Sequence, residues 1–143
     1  MSKAQIQCPA CGGVNRVHVA KVDQARCGRC KTPLTPATPL ELDDAGLDEL
    51  IAHTDKPVLL DLWSPSCGPC HMVAPDVAAL AERQSGKLVV AKIDVSRHPR
   101  VAQRLGVRGV PTFVVFKAGQ VERQQAGAMR LDHLTAFVEP YLR

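Results

Sequence analysis

All six cysteines of this 143-residue sequence fall into pairs of one spacing: Cys8/Cys11, Cys27/Cys30 and Cys67/Cys70. Two sulfurs at C-x-x-C spacing can share a metal ion or a disulfide, and the backbone around them decides which. The first two pairs are fifteen residues apart, the C-x2-C…C-x2-C arrangement of a zinc ribbon. Gly12 and Gly13 follow the first pair and Gly28 lies inside the second. Such residues permit the tight knuckle that turns thiolates toward one ion. One zinc per chain, structural or redox-responsive, is therefore expected on Cys8, Cys11, Cys27 and Cys30. Two reducible disulfides are the alternative, disfavoured where no secretory leader accompanies the cysteines. His18 lies between the knuckles, but four cysteines already close the site, so it is expected as an exposed strand residue.

The third pair stands in Trp63-Ser-Pro-Ser-Cys67-Gly-Pro-Cys70, where an apolar run gives way to a helical pattern. Cysteines three apart in a first helical turn share a face at about 5–6 Å, the separation a disulfide prefers. Free N–H groups and the positive end of the helix dipole stabilise a thiolate there. Pro69 is tolerated because first-turn amides have no helical partner. Cys67 is expected as the exposed, low-pKa nucleophile, with Cys70 one turn in and acting second. Cys67–His71 also fits the C-x-x-C-H haem pattern, but a proline between the cysteines of a buried α/β unit argues against it. A structural zinc pair lacks two further ligands once the first four cysteines are committed. His71 is expected to be exposed on the helix.

The elements that must position these sulfurs are legible in the apolar periodicity. Val14, Val17, Val19 and Val22 suit a short hairpin between the knuckles, too small for an unaided core, so metal would supply the missing folding free energy. Pro33, Pro36 and Pro39 recur every third residue, which favours an extended tether that packs against neither neighbour. The boundaries expected are a ribbon over 1–32, a linker over 33–39 and a second domain over 40–143. In that domain Leu47, Leu50 and Ile51 mark a helix capped near Asp43 or Asp44. Residues 58–63 and 88–95 read as buried strands. Met72, Val73, Val77, Leu80 and Ala81 stripe a long helix, which Pro75 is expected to kink, and a short helix follows near 98–105. A hairpin over 112–117 and 121–125 and a last helix through Leu134 and Phe137 complete an α/β sandwich about a mixed sheet.

Composition narrows the function. The net charge of +4 is uneven: residues 1–36 hold six basic side chains against Asp23 alone, and the remainder holds twelve basic and thirteen acidic residues. A basic segment can be a nucleic-acid footprint. However, four thiolates around a dication would themselves call for nearby cations, and no aromatic lies in the amino-terminal third for base stacking. No apolar run reaches the roughly 18 residues of a membrane span. The first twenty residues hold no apolar core or small-residue cleavage site, which makes the cytoplasm the expected compartment.

Taken together, Trp63…Cys67-Gly-Pro-Cys70, Asp61 in the preceding run and Val110-Pro111-Thr112 make residues 40–143 resemble thioredoxins. With the ribbon in front, the whole chain resembles the zinc-containing thioredoxin-2 type of bacteria. The resemblance implies a thioredoxin fold, a mixed central sheet flanked by helices, preceded by the small zinc ribbon. It implies a disulfide reductase acting on client proteins and recycled by an NADPH-dependent flavoprotein, thioredoxin reductase, with no tightly bound organic cofactor. It assigns Asp61 as proton acceptor for Cys70, with Lys92 nearby and Pro111 as a cis-proline facing the dithiol. Burial between Leu60 and Leu62 should raise the Asp61 pKa. Trp63, Gly68, Pro69, Val110 and Gly127 become the client-contacting surface, with the Val110 backbone free to pair with an extended peptide. Ser66 departs from the family's usual second tryptophan. It can cap the helix, and its small side chain is expected to alter client range rather than competence. Two other functions fit parts of the pattern: a basic ribbon serving as a binding module, and an oxidase or isomerase of an export compartment.

Overall fold

A computed structural model describes residues 2–142, so the outermost residues of the ribbon and of the second domain, 1 and 143, lie outside the described residues. The first β-hairpin pairs β1 (Lys3–Gln7) with β2 (Val14–His18) in antiparallel register. The first knuckle is thus the hairpin's turn. The partner of Val14–His18 precedes Cys8 rather than following Val19, because Ala4 and Ile6 alternate with exposed Lys3, Gln5 and Gln7 to make a one-sided strand. Val19–Gln24 forms a 3-10 turn whose Val19 and Val22 are buried.

The main sheet has five strands in the order β3 (Leu40–Glu41), β5 (Val89–Asp94), β4 (Val58–Trp63), β6 (Thr112–Lys117) and β7 (Gln120–Ala126). Strands β3, β5 and β4 run parallel, β6 pairs antiparallel with β4, and β7 pairs antiparallel with β6 at the edge. Around it lie α1 (Asp44–His53), α2 (Gly68–Arg83), α3 (Arg100–Arg104) and α4 (Leu131–Val138). Helix α1 begins where the Asp43 side chain accepts the Gly46 amide at 2.7 Å. Helix α2 runs through Pro75 as one helix.

Strand alternation sorts the core into two layers. On one face Val58, Leu60 and Leu62 pack with Leu47, Leu50, Val101 and Val114. On the other, Leu59 and Val90 pack with Val73, Val77 and Leu80 of α2 and with Leu134 and Phe137 of α4.

The ribbon has no separate core. Ala4, Ile6, Val19, Val22 and Leu34 belong to the same apolar cluster as Leu40, Leu47 and Leu50. Polar bolts surround the seam: the Ser2 amide donates to Glu49 Oε2 at 2.9 Å, and Asp23 accepts from Thr54 Oγ1 and the Asp55 amide, each at 2.8 Å. The proline segment departs from the free tether expected of it. Leu34 and Pro36 are buried, the Leu34 amide donates to Ala25 O at 2.9 Å, and Ser85 Oγ reaches Thr35 Oγ1 at 3.1 Å. Proline spacing sets an extended backbone but leaves the apolar side chains between the prolines free to dock, and Leu34 does. Among the described residues no helix is long and apolar enough to cross a membrane.

Candidate active site and metal centre

Strand β4 is buried on both faces and delivers the chain to a tight loop, Ser64–Ser66, from which α2 starts. Cys67 is the N-cap: its sulfur accepts the Cys70 amide at 3.1 Å. The cap expected of Ser66 therefore falls one residue later, and Ser66 stays exposed before the helix. Cys67 and Cys70 are joined as a disulfide with Cα atoms 5.3 Å apart, the span that one helical turn provides. Cys67 is half-buried, whereas Cys70 is 5% exposed. The two sulfurs therefore differ in access to a partner.

Facing them is the loop before β6. The Val110–Pro111 bond is cis, and Cys67 Sγ lies 3.6 Å from the Val110 carbonyl oxygen. Thr112 Oγ1 donates to Gly109 O at 2.7 Å and the Gly127 amide to Pro111 O at 2.8 Å, fixing the loop from both sides. Gly127 adopts a left-handed φ of +104° with open space where a side chain would begin. Gly68 and Pro69 are exposed on the first turn of α2, and Met72 is 64% exposed beside them. His71 is exposed, as expected, yet its Nε2 donates to Pro65 O at 2.7 Å and its ring meets Trp63 edge-on at 6.2 Å. It ties the helix to the loop that carries Cys67.

Asp61 is 2% exposed, and its Oδ1 is without a hydrogen-bond partner among the described residues. Its alternation with Leu60 and Leu62 turns it to the side of the sheet on which Leu59 packs against Val73, Val77 and Leu80 of α2. Burial pushes its carboxyl up to about 6, against the pull of the Lys92 ammonium. Lys92 is the register partner of Asp61 across β5 and β4. Its ammonium sits over the Trp63 ring at 4.8 Å and 3.9 Å from Glu41 Oε1. Glu41 is absent from the site residues expected from the sequence. The one available signal is an acidic residue between Leu40 and Leu42, both buried.

The four remaining cysteines converge. Their Sγ atoms all lie within 4.8 Å of one another, with Cys8–Cys30 at 3.6 Å and Cys11–Cys27 at 3.7 Å. Sulfurs ~2.3 Å from a tetrahedral zinc stand about 3.8 Å apart, so this donor set fits that ion. Amides of Cys30 and Arg29 hold the Cys27 thiol down to about 6, and Asn15 Nδ2 reaches the same sulfur at 3.6 Å. The knuckles turn as expected at Gly12, with φ of +74°, but the second turns at Lys31, with φ of +66°, rather than at Gly28. The Lys31 amide bonds back to Cys27 O at 2.9 Å and its ammonium to Gly28 O at 3.1 Å, which holds the side chain in that region. His18 is half-buried rather than exposed, and its Nδ1 is enclosed without a partner among the described residues. It closes β2 where the ribbon meets the main domain.

The family profile described as Thioredoxin matches residues 38–140. "Thioredoxin C-3" of Corynebacterium nephridii is 37% identical over 139 residues, 96% of this chain and 95% of that protein, so the similarity runs through the ribbon as well. "Thioredoxin" of Synechocystis sp. is 39% identical over 106 residues, 74% of this chain and 98% of that one. Among solved structures, a mutant thioredoxin from Halobacterium salinarum NRC-1 superposes with a TM-score of 0.70 at 37% identity, covering 76% of this chain and 95% of its own.

Proposed function

Because the chain belongs to the thioredoxin family, a family of protein-disulfide oxidoreductases, we propose that Cys67 and Cys70 reduce disulfides of client proteins, with electrons returned by a thioredoxin reductase. The observation that carries this reading is the Cys67–Cys70 disulfide at the amino terminus of α2, with one sulfur accessible and one buried. In the dithiol form the Cys67 thiolate attacks one sulfur of the client disulfide. That bond breaks, a mixed disulfide forms, and the first client thiolate leaves. Cys70 gives its proton to the Asp61 carboxylate and attacks Cys67 Sγ. The second client thiolate departs, and the Cys67–Cys70 bond carries the two electrons' worth of oxidation. A flavoprotein reductase restores both thiols.

The half-buried Val110 and the open ground at Gly127 form a groove for the client backbone, flanked by Trp63, Gly68 and Pro69. Ser66 leaves that groove without a large ring on one side, which favours clients that bring their own apolar side chain.

The four-cysteine cluster completes the reading as a zinc-containing, thioredoxin-2-type protein of the cytoplasm. Cys8, Cys11, Cys27 and Cys30 would hold the ion. Bound there, zinc would supply the folding free energy that a two-stranded ribbon lacks. We read 1–32 as the ribbon, 33–39 as its connection and 40–143 as the reductase module. Turnover of insulin disulfides with NADPH and a bacterial thioredoxin reductase tests the activity. Reduction dependent on both cysteines is expected, and none at stoichiometric protein would overturn the proposal.

A further inference from the structure

The sheet register places three charged residues in a row across three neighbouring strands. Glu41 on β3 pairs with Lys92 on β5, and Lys92 pairs with Asp61 on β4. Leu40 and Leu42 face the opposite layer of the core, as do Leu60, Leu62, Ala91 and Ile93. Alternation therefore turns Glu41, Lys92 and Asp61 to the same side. The outer end of the row opens on a cleft of about 790 Å³ lined by Glu41, Trp63 and Pro65 together with Ser2 and Lys3 of the ribbon.

Lys92 has one ammonium and two carboxylates to serve. Its side chain is 17% exposed and its charge lies over Trp63, so it is held close to the sheet rather than extended into solvent. The only carboxylate within 4 Å of it among the described residues is Glu41, at 3.9 Å. Asp61, inside, receives no hydrogen bond at Oδ1 among the described residues. We propose that Glu41 is a positioning residue for proton transfer from Cys70, holding the Lys92 ammonium at the cleft end of the row and away from the Asp61 carboxylate. This rests on the reading of Asp61 as the base for Cys70.

The consequence follows from Coulomb's law. An ammonium drawn toward Asp61 would stabilise its ionised form and weaken it as a base, whereas one drawn toward Glu41 leaves Asp61 able to take the proton. The charges around Asp61 are few. Strand β5 contributes Lys92 and, at its end, Asp94, which is bonded to Ser96; β3 contributes Glu41; α2 contributes Cys70 once reduced. Strand β6 offers the apolar Phe113 opposite Asp61. The cleft is also lined by Lys3 of β1, Asp43 before α1, and Arg97 and His98 of the loop after β5.

The test uses the full chain and two readouts: the carboxyl carbon resonance of Asp61 followed through a pH titration, and the pH profile of client release from a mixed disulfide. Glu41→Gln is expected to move the Asp61 midpoint and the acid limb of release downward together by roughly half a pH unit, the size of effect a carboxylate two strands away exerts through a shared cation. Lys92→Met should move both upward, and in that background Glu41→Gln should cause less than half its original shift. A midpoint unmoved by Glu41→Gln, or an equal shift with and without Lys92, overturns the inference. Asp61→Asn separates the two readings. If it abolishes the acid limb while Glu41→Gln leaves the limb in place, Asp61 stands as the base and the role of Glu41 falls. If the limb survives in Asp61→Asn, the base is elsewhere and both fall.

Discussion

Three pairs of cysteines share one spacing, and two of them stand in surroundings unlike those of the third. In the ribbon, each pair sits in a loop knuckle beside a short hairpin, and four sulfurs collect within 4.8 Å. At the start of α2, the pair stands alone and closes on itself. Both settings bring backbone amides to sulfur: Arg29 N–H to Cys27 at 3.4 Å and Cys70 N–H to Cys67 at 3.1 Å. Thiolate stabilisation is therefore common to the two. What differs is the number of sulfurs converging and what lies behind them. Four converging thiolates suit a dication, whereas two thiols at a helix terminus suit exchange with a disulfide. Spacing places the sulfurs, and their surroundings select the reaction.

The largest effects are expected from removing single sulfurs. Cys67→Ser should lower insulin reduction by about 1,000-fold or more. Cys70→Ser should accumulate mixed disulfides with clients, visible by non-reducing electrophoresis of extracts. Equal trapping by the two variants would reverse the assignment of nucleophile.

Removing the carboxylate behind the dithiol has the next largest effect. With Asp61 titrating near pH 6, the base proposed for Cys70 would work above that pH, whereas Asp61→Asn would depend on the free thiolate of Cys70. The loss should grow as pH falls from 8 to about 6, reaching roughly 100-fold in rapid-mixing measurements of client release, then level off as the wild-type base is itself protonated. Stability moves the other way. The folded carboxyl holds its proton more tightly than the unfolded one, so its stabilising contribution is present below the unfolded pKa of 3.8 and lost as pH rises through about 6. Asp61→Asn should thus stabilise the oxidised protein by roughly 3 kcal/mol at pH 8 and by almost nothing near pH 4, read by denaturant unfolding.

How far the sequence reached can be judged from these same residues. The six sulfurs and Asp61 were legible because each is an unusual residue type at a fixed spacing or inside an apolar run, whereas the Val110–Pro111 loop was legible only through the resemblance to thioredoxins. The cap of α2 was displaced by one residue, since Ser66 and Cys67 both offer an acceptor and the loop length, invisible in the composition, decides between them. Strand β3 was missed because two residues carry no periodicity, and Glu41 was missed with it. The docking of the ribbon was hidden for a different reason. Val14, Val17, Val19 and Val22 were counted as too little for a core, which leaves out what lies beside them: Val19 and Val22, with Leu34 of the proline segment, pack in one cluster with Leu47 and Leu50.

That shared core gives the smallest of the expected effects on catalysis. Cys27→Ser should abolish stoichiometric zinc and lower Tm by roughly 10 °C, because the ribbon's seam with α1 loosens. Reductase turnover should change by no more than a few-fold, since the four ribbon cysteines are free thiols and Cys67 pairs with Cys70 alone among the described residues. A loss of turnover as large as that of Cys67→Ser would join the two regions into one active site.

The separation of the two sulfur chemistries is tested most directly by one oxidation experiment on the intact, metal-loaded protein. The fully reduced chain is given one equivalent of a client disulfide, free thiols are alkylated, and cysteine states are mapped by mass spectrometry alongside zinc content. The predicted result is a Cys67–Cys70 disulfide, with Cys8, Cys11, Cys27 and Cys30 all reduced and one zinc retained. Disulfides among the ribbon cysteines, with zinc released at that single equivalent, would contradict the account.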